Sequence, residues 1–133
     1  MSRYVIDASA ATEYLLKTPL GIKVASIIAD AALLAPELLD VEVLSVLRRA
    51  VLQRKLTEQR ALLAIEDLMD WSIDRISHRP LVWAVWQQRN NVSAYDAFYV
   101  AAARLANAAL LTADGPLSRA PSLGIAVENI RLS

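Results

Sequence analysis

Apolar positions along this chain fall into two kinds of run. Short dense runs at 4–6, 33–35 and 109–112 have the length of strands, whereas longer runs repeat at the spacing of a helix face. Taken in order, the pattern predicts a strand over Tyr4, Val5 and Ile6 and then a helix from Asp7 through about Lys17, stopped by Thr18 and Pro19. A second helix is expected over about 21–30, a strand over 33–35, and a helix over about 37–54 with Pro36 at its start. A further helix over about 57–71, a strand over 74–76 and a helix over about 80–89 follow. The next stretch, 91–114, carries the strongest local signals. Ser93 is placed as an N-cap, and Ala97, Val100, Ala101, Arg104, Leu105 and Ala108 recur at helical spacing. Asn107 is placed as the C-terminal cap, and the strand at 109–112 delivers Asp114 to its carboxyl end. A short helical segment ending near Pro121 and a last strand over 125–130 complete the reading.

Strands alternating with helices imply an α/β fold, a mainly parallel sheet of short strands with helices on both faces. The helix over 37–54 has two apolar arcs. Leu39, Val43, Val46, Leu47 and Ala50 make a core face, while Val41, Leu44, Val51 and Leu52 make a second one that calls for a partner. Glu42 lies on neither arc and borders the core face.

Composition narrows the picture in three ways. At 133 residues the chain is expected to form a single domain, 1–133. No apolar run approaches the ~20 residues of a membrane span, and Met1-Ser2-Arg3 leads into a strand rather than a signal peptide, so a cytoplasmic protein is expected. Without cysteine there is no disulfide and no thiolate metal site, and a single histidine, His78, rules out a multi-histidine one. Charge balances at 14 basic and 14 acidic residues, which neither advertises nor excludes a nucleic-acid partner.

Four acids share one kind of position. Asp7 follows the first strand, Glu42 lies in the helix after the second, Asp96 opens a late helix, and Asp114 follows a later strand. Right-handed crossovers gather strand carboxyl ends at one edge of the sheet, so the four can converge there. Two carboxylates ~4 Å apart repel by about 4 kcal/mol at an effective dielectric of about 20, so such a cluster calls for a proton or a cation. Hard oxygen donors suit Mg²⁺ or Mn²⁺, and the reaction they favour is phosphodiester hydrolysis by an activated water. Each acid also has a plainer role: Ser93 to Asp96 matches a capping box, and Asp114-Gly115-Pro116 is an ordinary turn sequence.

The blocks around Tyr4-Val5-Ile6-Asp7-Ala8-Ser9, Glu42, Asn91-Val92-Ser93-Ala94-Tyr95-Asp96-Ala97 and Leu110-Leu111-Thr112-Ala113-Asp114 closely resemble the PIN-domain ribonucleases, and more narrowly the VapC toxins of bacterial toxin–antitoxin pairs. The resemblance implies a three-layer α/β/α fold and a Mg²⁺-dependent endoribonuclease, with Mn²⁺ able to substitute. It also implies that Asp7, Glu42, Asp96 and Asp114 are the catalytic, metal-coordinating acids, supported by the hydroxyls of Ser9 and Thr112. A VapB-type antitoxin, an RNA substrate and assembly as a homodimer or toxin–antitoxin hetero-oligomer are its implied partners. Some members carry a further acid just after the last one; Gly115-Pro116-Leu117-Ser118 supplies none.

Other residues enter with smaller roles. Arg48, Arg49, Arg54, Lys55 and Arg60 form a loose basic run able to contact phosphates or simply to solvate a helix end, and Arg89 precedes the acidic helix. Trp83 and Trp86 read as packing residues, and His78 as a surface or loop residue. The competing reading from another class is a non-catalytic doubly wound phosphate-binding or signalling module. Against it, the acids come one per element, and no lysine follows a late strand.

Overall fold

The computed structural model describes residues 2–118 and 123–132. Five parallel strands form one sheet: β1 (Arg3–Ile6), β2 (Ala32–Pro36), β3 (Asp74–Ile76), β4 (Ala109–Thr112) and β5 (Val127–Asn129), in the order β3-β2-β1-β4-β5. The central strand β1 sets Val5 opposite Leu34 on one side and Leu110 on the other. Val5, Ile6, Leu110 and Leu111 are fully buried, as expected of short apolar strands covered on both faces.

The strand order dictates where the helices go. From β1 the chain steps outward twice in one direction, through α1 (Ala8–Leu15) and α2 (Pro19–Ile28) to β2, then through α3 (Leu38–Leu52) and α4 (Glu58–Asp70) to β3. It then returns across the sheet through a 3-10 turn (Arg79–Leu81), α5 (Val82–Gln87) and α6 (Ala94–Ala106) to β4, and steps the other way through α7 (Gly115–Ser118) to β5. Right-handed crossovers put α1–α4 on one face and α5–α7 on the other. The packing agrees: α1 touches α2, α3 and α4, while α6 lies on β1, β2 and β4 and touches α5. The reversal of direction falls between β1 and β4, and their carboxyl ends flank the crevice where open α/β sheets bind ligands.

Local signals explain the helix ends. Ser93 Oγ accepts from Asp96 N at 3.2 Å, and Asn107 takes a left-handed conformation (φ 52°) that lets Ala108 N reach the Ala103 carbonyl at 2.9 Å. Ala97, Ala101, Ala102 and Ala103 are buried, and their small size seats α6 close to the sheet. Gly21 serves a similar purpose between α1 and α2, since a Cβ there would overlap the Glu13 carbonyl oxygen. Two expectations shift. On α3, Leu39, Val43 and Leu47 are buried but Val46 and Ala50 only partly so; on the second arc Val41, Leu44 and Leu52 are exposed and Val51 is half-buried. The helix expected at 80–89 is split into the 3-10 turn and the short α5, and the predicted end near Pro121 lies outside the described residues.

Candidate active site

Asp7 is the fixed point of the carboxyl edge. It leaves β1 in an extended conformation and caps α1, its Oδ1 accepting from Ala10 N at 3.0 Å and from Ser9 Oγ at 2.6 Å. The other oxygen, Oδ2, accepts from Thr112 Oγ1. Each hydroxyl also accepts from the backbone after β4: Ala113 N donates to Ser9 Oγ and Asp114 N to Thr112 Oγ1, both at 2.9 Å. Two hydroxyls thus tie the orientation of Asp7 to the turn that carries Asp114. Burial pushes the Asp7 carboxyl up to about 6; the bonds from Ser9, Thr112 and Ala10 pull it back, and the Asp96 charge adds to the rise.

The other three acids face this point from different elements. Asp114 is half-buried and accepts from Leu117 N at 3.3 Å, so it also caps the short α7. Arg131 Nε holds the neighbouring Ala113 carbonyl at 2.9 Å. Asp96 sits in the first turn of α6, where burial raises its carboxyl first, then the charges of Asp114 and Glu42, while Ser93 lowers it. Glu42, in α3, accepts a 2.6 Å hydrogen bond from Tyr99 Oη across the edge of the sheet. Burial and that same carboxylate push the Tyr99 phenol well above its ordinary value, so it remains a donor. Asp7 thus feels Asp96, and Asp96 feels both Asp114 and Glu42, so the four acids share one edge of the sheet, with the Ser9 and Thr112 hydroxyls bonded to Asp7.

A divalent cation fits the chemistry of this donor set: hard carboxylate oxygens that raise one another's proton affinity. The shell is not preassembled, because among the described residues no three carboxylates close around a single point. Hydrogen bonds fix Asp7, Glu42 and Asp114 in part, and the Asp96 carboxylate is held by Ser93.

Other sequence readings need correction. The basic run is split: Arg48 and Arg49 lie exposed on α3, six and seven residues after Glu42, while Arg54 and Lys55 lie exposed beyond the end of that helix. Arg60 is committed to the fold, its Nη2 donating to the Leu15 carbonyl at 2.9 Å. His78 is no mere loop residue. Its Nε2 accepts from Leu38 N at 2.9 Å, closing the start of α3, and its ring lies against Phe98 at 4.4 Å. Trp83 and Trp86 are not packing residues either, being 79% and 61% exposed. Tyr99 and Arg131 were missed altogether. Tyr99 lies three residues after Asp96, on a neighbouring part of the helix surface, and that spacing was the available signal.

The sequence pattern of the PIN domain matches residues 4–123. The chain belongs to the PIN-domain family. Within that family it is of the VapC type: it is 38% identical to ribonuclease VapC1 of Mycobacterium tuberculosis over 133 residues, covering 98% of this chain and 100% of that protein. Among solved structures, PAE2754 from Pyrobaculum aerophilum superposes with a TM-score of 0.73 at 18% identity, covering 98% of this chain and 92% of that one. VapBC2 from Rickettsia felis, solved with a DNA fragment from its promoter, superposes with a TM-score of 0.65 at 18% identity, covering 96% and 98%. At such identity these two speak for the three-layer fold alone. No helix among the described residues is long and apolar enough to cross a membrane.

Proposed function

We propose that this chain is the RNA-cleaving toxin of a toxin–antitoxin pair, a single PIN domain that hydrolyses phosphodiester bonds with Mg²⁺ or Mn²⁺. The observation that carries this reading is Asp7, a buried carboxylate whose two oxygens are aimed by Ser9 and Thr112 within a cluster that includes Asp96, Asp114 and Glu42. Kinship with ribonuclease VapC1 supports the choice of RNA as substrate. In this reading Asp7, Glu42, Asp96 and Asp114 are the acids that hold the cation, which would acidify a water and offset charge on the phosphodiester. Asp7 anchors the site, because its hydrogen bonds leave it little freedom. The phenol of Tyr99 orients Glu42, and Ser9 and Thr112 keep the Asp114 turn in register with Asp7.

The partner is a VapB-type antitoxin, by analogy with the VapBC2 assembly. The apolar side chains Val41, Leu44 and Leu52, left exposed on α3, are assigned to antitoxin binding or self-association.

The direct test is RNA cleavage with Mg²⁺ or Mn²⁺ against excess chelator, run beside exposure to a small phosphodonor. Cation-dependent cleavage that Asp96→Asn abolishes supports the proposal. Stable phosphorylation of an acid without cleavage would favour the signalling module instead.

A further inference from the structure

Charge is evenly balanced over the whole chain but not along it. Between Asp74 and Asp96 there is no acid, while Arg75, Arg79 and Arg89 all fall within that stretch. Arg75 is paired with Asp40 at 2.7 Å, which leaves Arg79 and Arg89 as exposed cations. The same stretch holds the exposed Trp83 and Trp86, and Tyr95, at its end, is 62% exposed. The Arg89 guanidinium lies over the Trp86 ring at 4.9 Å and donates to the Trp86 carbonyl at 3.1 Å.

Topology places this stretch beside the acids. It departs from the carboxyl end of β3 and returns at the N-terminus of α6, so both of its ends lie on the acidic edge. It is also anchored there. His78 closes the start of α3, four residues before Glu42, and buried Gln88 accepts from Asn91 Nδ2 at 3.0 Å and, through its carbonyl, from Val92 N at 3.2 Å, just ahead of Asp96. Exposed rings and cations, free of acids and mounted on a fixed lobe, match the chemistry of single-stranded nucleic acid: bases stack on aromatic faces and arginines meet phosphates.

We propose that Trp83, Trp86 and Tyr95, with Arg79 and Arg89, form a stacking platform for unpaired bases of the RNA next to the scissile bond. This rests on the ribonuclease reading and narrows its substrate to single-stranded segments. Duplex RNA, whose bases are already stacked, gains nothing from the rings. The other occupant such rings suit is a second copy of the chain, since tryptophan, tyrosine and arginine are also enriched at protein interfaces.

The test uses the full chain in excess chelator, so that binding is read without cleavage. Trp71 stacks on Tyr14 at 4.4 Å, away from this lobe, and a Trp71→Phe background leaves Trp83 and Trp86 as the fluorophores. Titration with a short oligouridine should quench them saturably, and a duplex of equal length should not. Trp83→Leu with Trp86→Leu keeps apolar bulk but removes the rings, and its RNA affinity is measured by anisotropy of labelled oligouridine. It should fall about ten-fold or more, while sedimentation and the melting shift induced by Mn²⁺ stay as in the parent. Unchanged affinity, an equal loss for duplex RNA, or altered sedimentation with intact RNA affinity would each overturn the platform, the last assigning the rings to a second copy. The ribonuclease reading fails separately: quenching that persists in a chain unable to cleave with Mn²⁺ refutes catalysis and leaves the platform standing.

Discussion

Asp7 and Asp96 are both raised, but they differ in how firmly they are held. Asp96 is half-buried and raised partly by Asp114 and Glu42, so Asp96→Asn removes a repelling charge while keeping shape. The metal-free variant should melt at the same temperature as the parent or higher, with a gain of order 1 kcal/mol at most after solvent screening. It should lose cleavage and part of the stabilisation by Mn²⁺. If Asp96 serves only its helix end, unfolding curves will instead show lower stability with activity retained. Asp7 makes a pH prediction. It holds its proton more tightly in the fold, at about 6, than at its ordinary value of 3.8, so between those values the folded state binds more protons. The stability this contributes is present below about 4 and is lost as pH rises through about 6, a decline on the order of 3 kcal/mol. Denaturant midpoints measured across this range in chelator should show that decline, and Asp7→Asn should flatten it. An identical slope in the variant would place the titration elsewhere.

Elements bring these residues together, and α3 shows how. Its N-cap residue, Glu37, makes no side-chain cap bond; His78, forty positions after Leu38 in sequence, closes the helix instead. Because Nε2 accepts, the proton of the neutral ring sits on Nδ1. His78→Ala should lower stability by about 1 kcal/mol in thermal unfolding, since it leaves the Leu38 N–H without that partner. An unchanged melting temperature would show that water replaces the ring without loss. The outer arc of α3 answers to a different measurement. Leu44 is 46% exposed, so Leu44→Asp should barely change the stability of the lone chain but should weaken antitoxin binding or self-association. If both associations survive, this arc is not an interface. Val51 is the poorer probe, because a charge at that half-buried position would also disturb the fold.

Across the whole molecule, what could be read from the sequence is what local chemistry determines. Ser93 and Asn107 bound α6 where cap chemistry placed them, and the short apolar runs became strands of a parallel sheet. The acids follow from topology, because each occupies a strand exit or the start of a helix that begins at the same edge of the sheet. Contacts set by packing across elements were not legible. Tyr99 reaches Glu42 from fifty-seven residues away, and His78 reaches Leu38 from forty, and no periodicity encodes such pairings. Trp83 and Trp86 misled for a related reason: their one-turn spacing suggests a buried stripe, yet α5 is too short and too peripheral to bury it. The central claim is that the clustered acids hydrolyse RNA through a cation and water, and the ends of the cleaved RNA test it most directly. Cleavage with Mn²⁺ should leave a 5′-phosphate and a 3′-hydroxyl and should cease in excess chelator. A 2′,3′-cyclic phosphate product, or undiminished cleavage in chelator, would contradict the account.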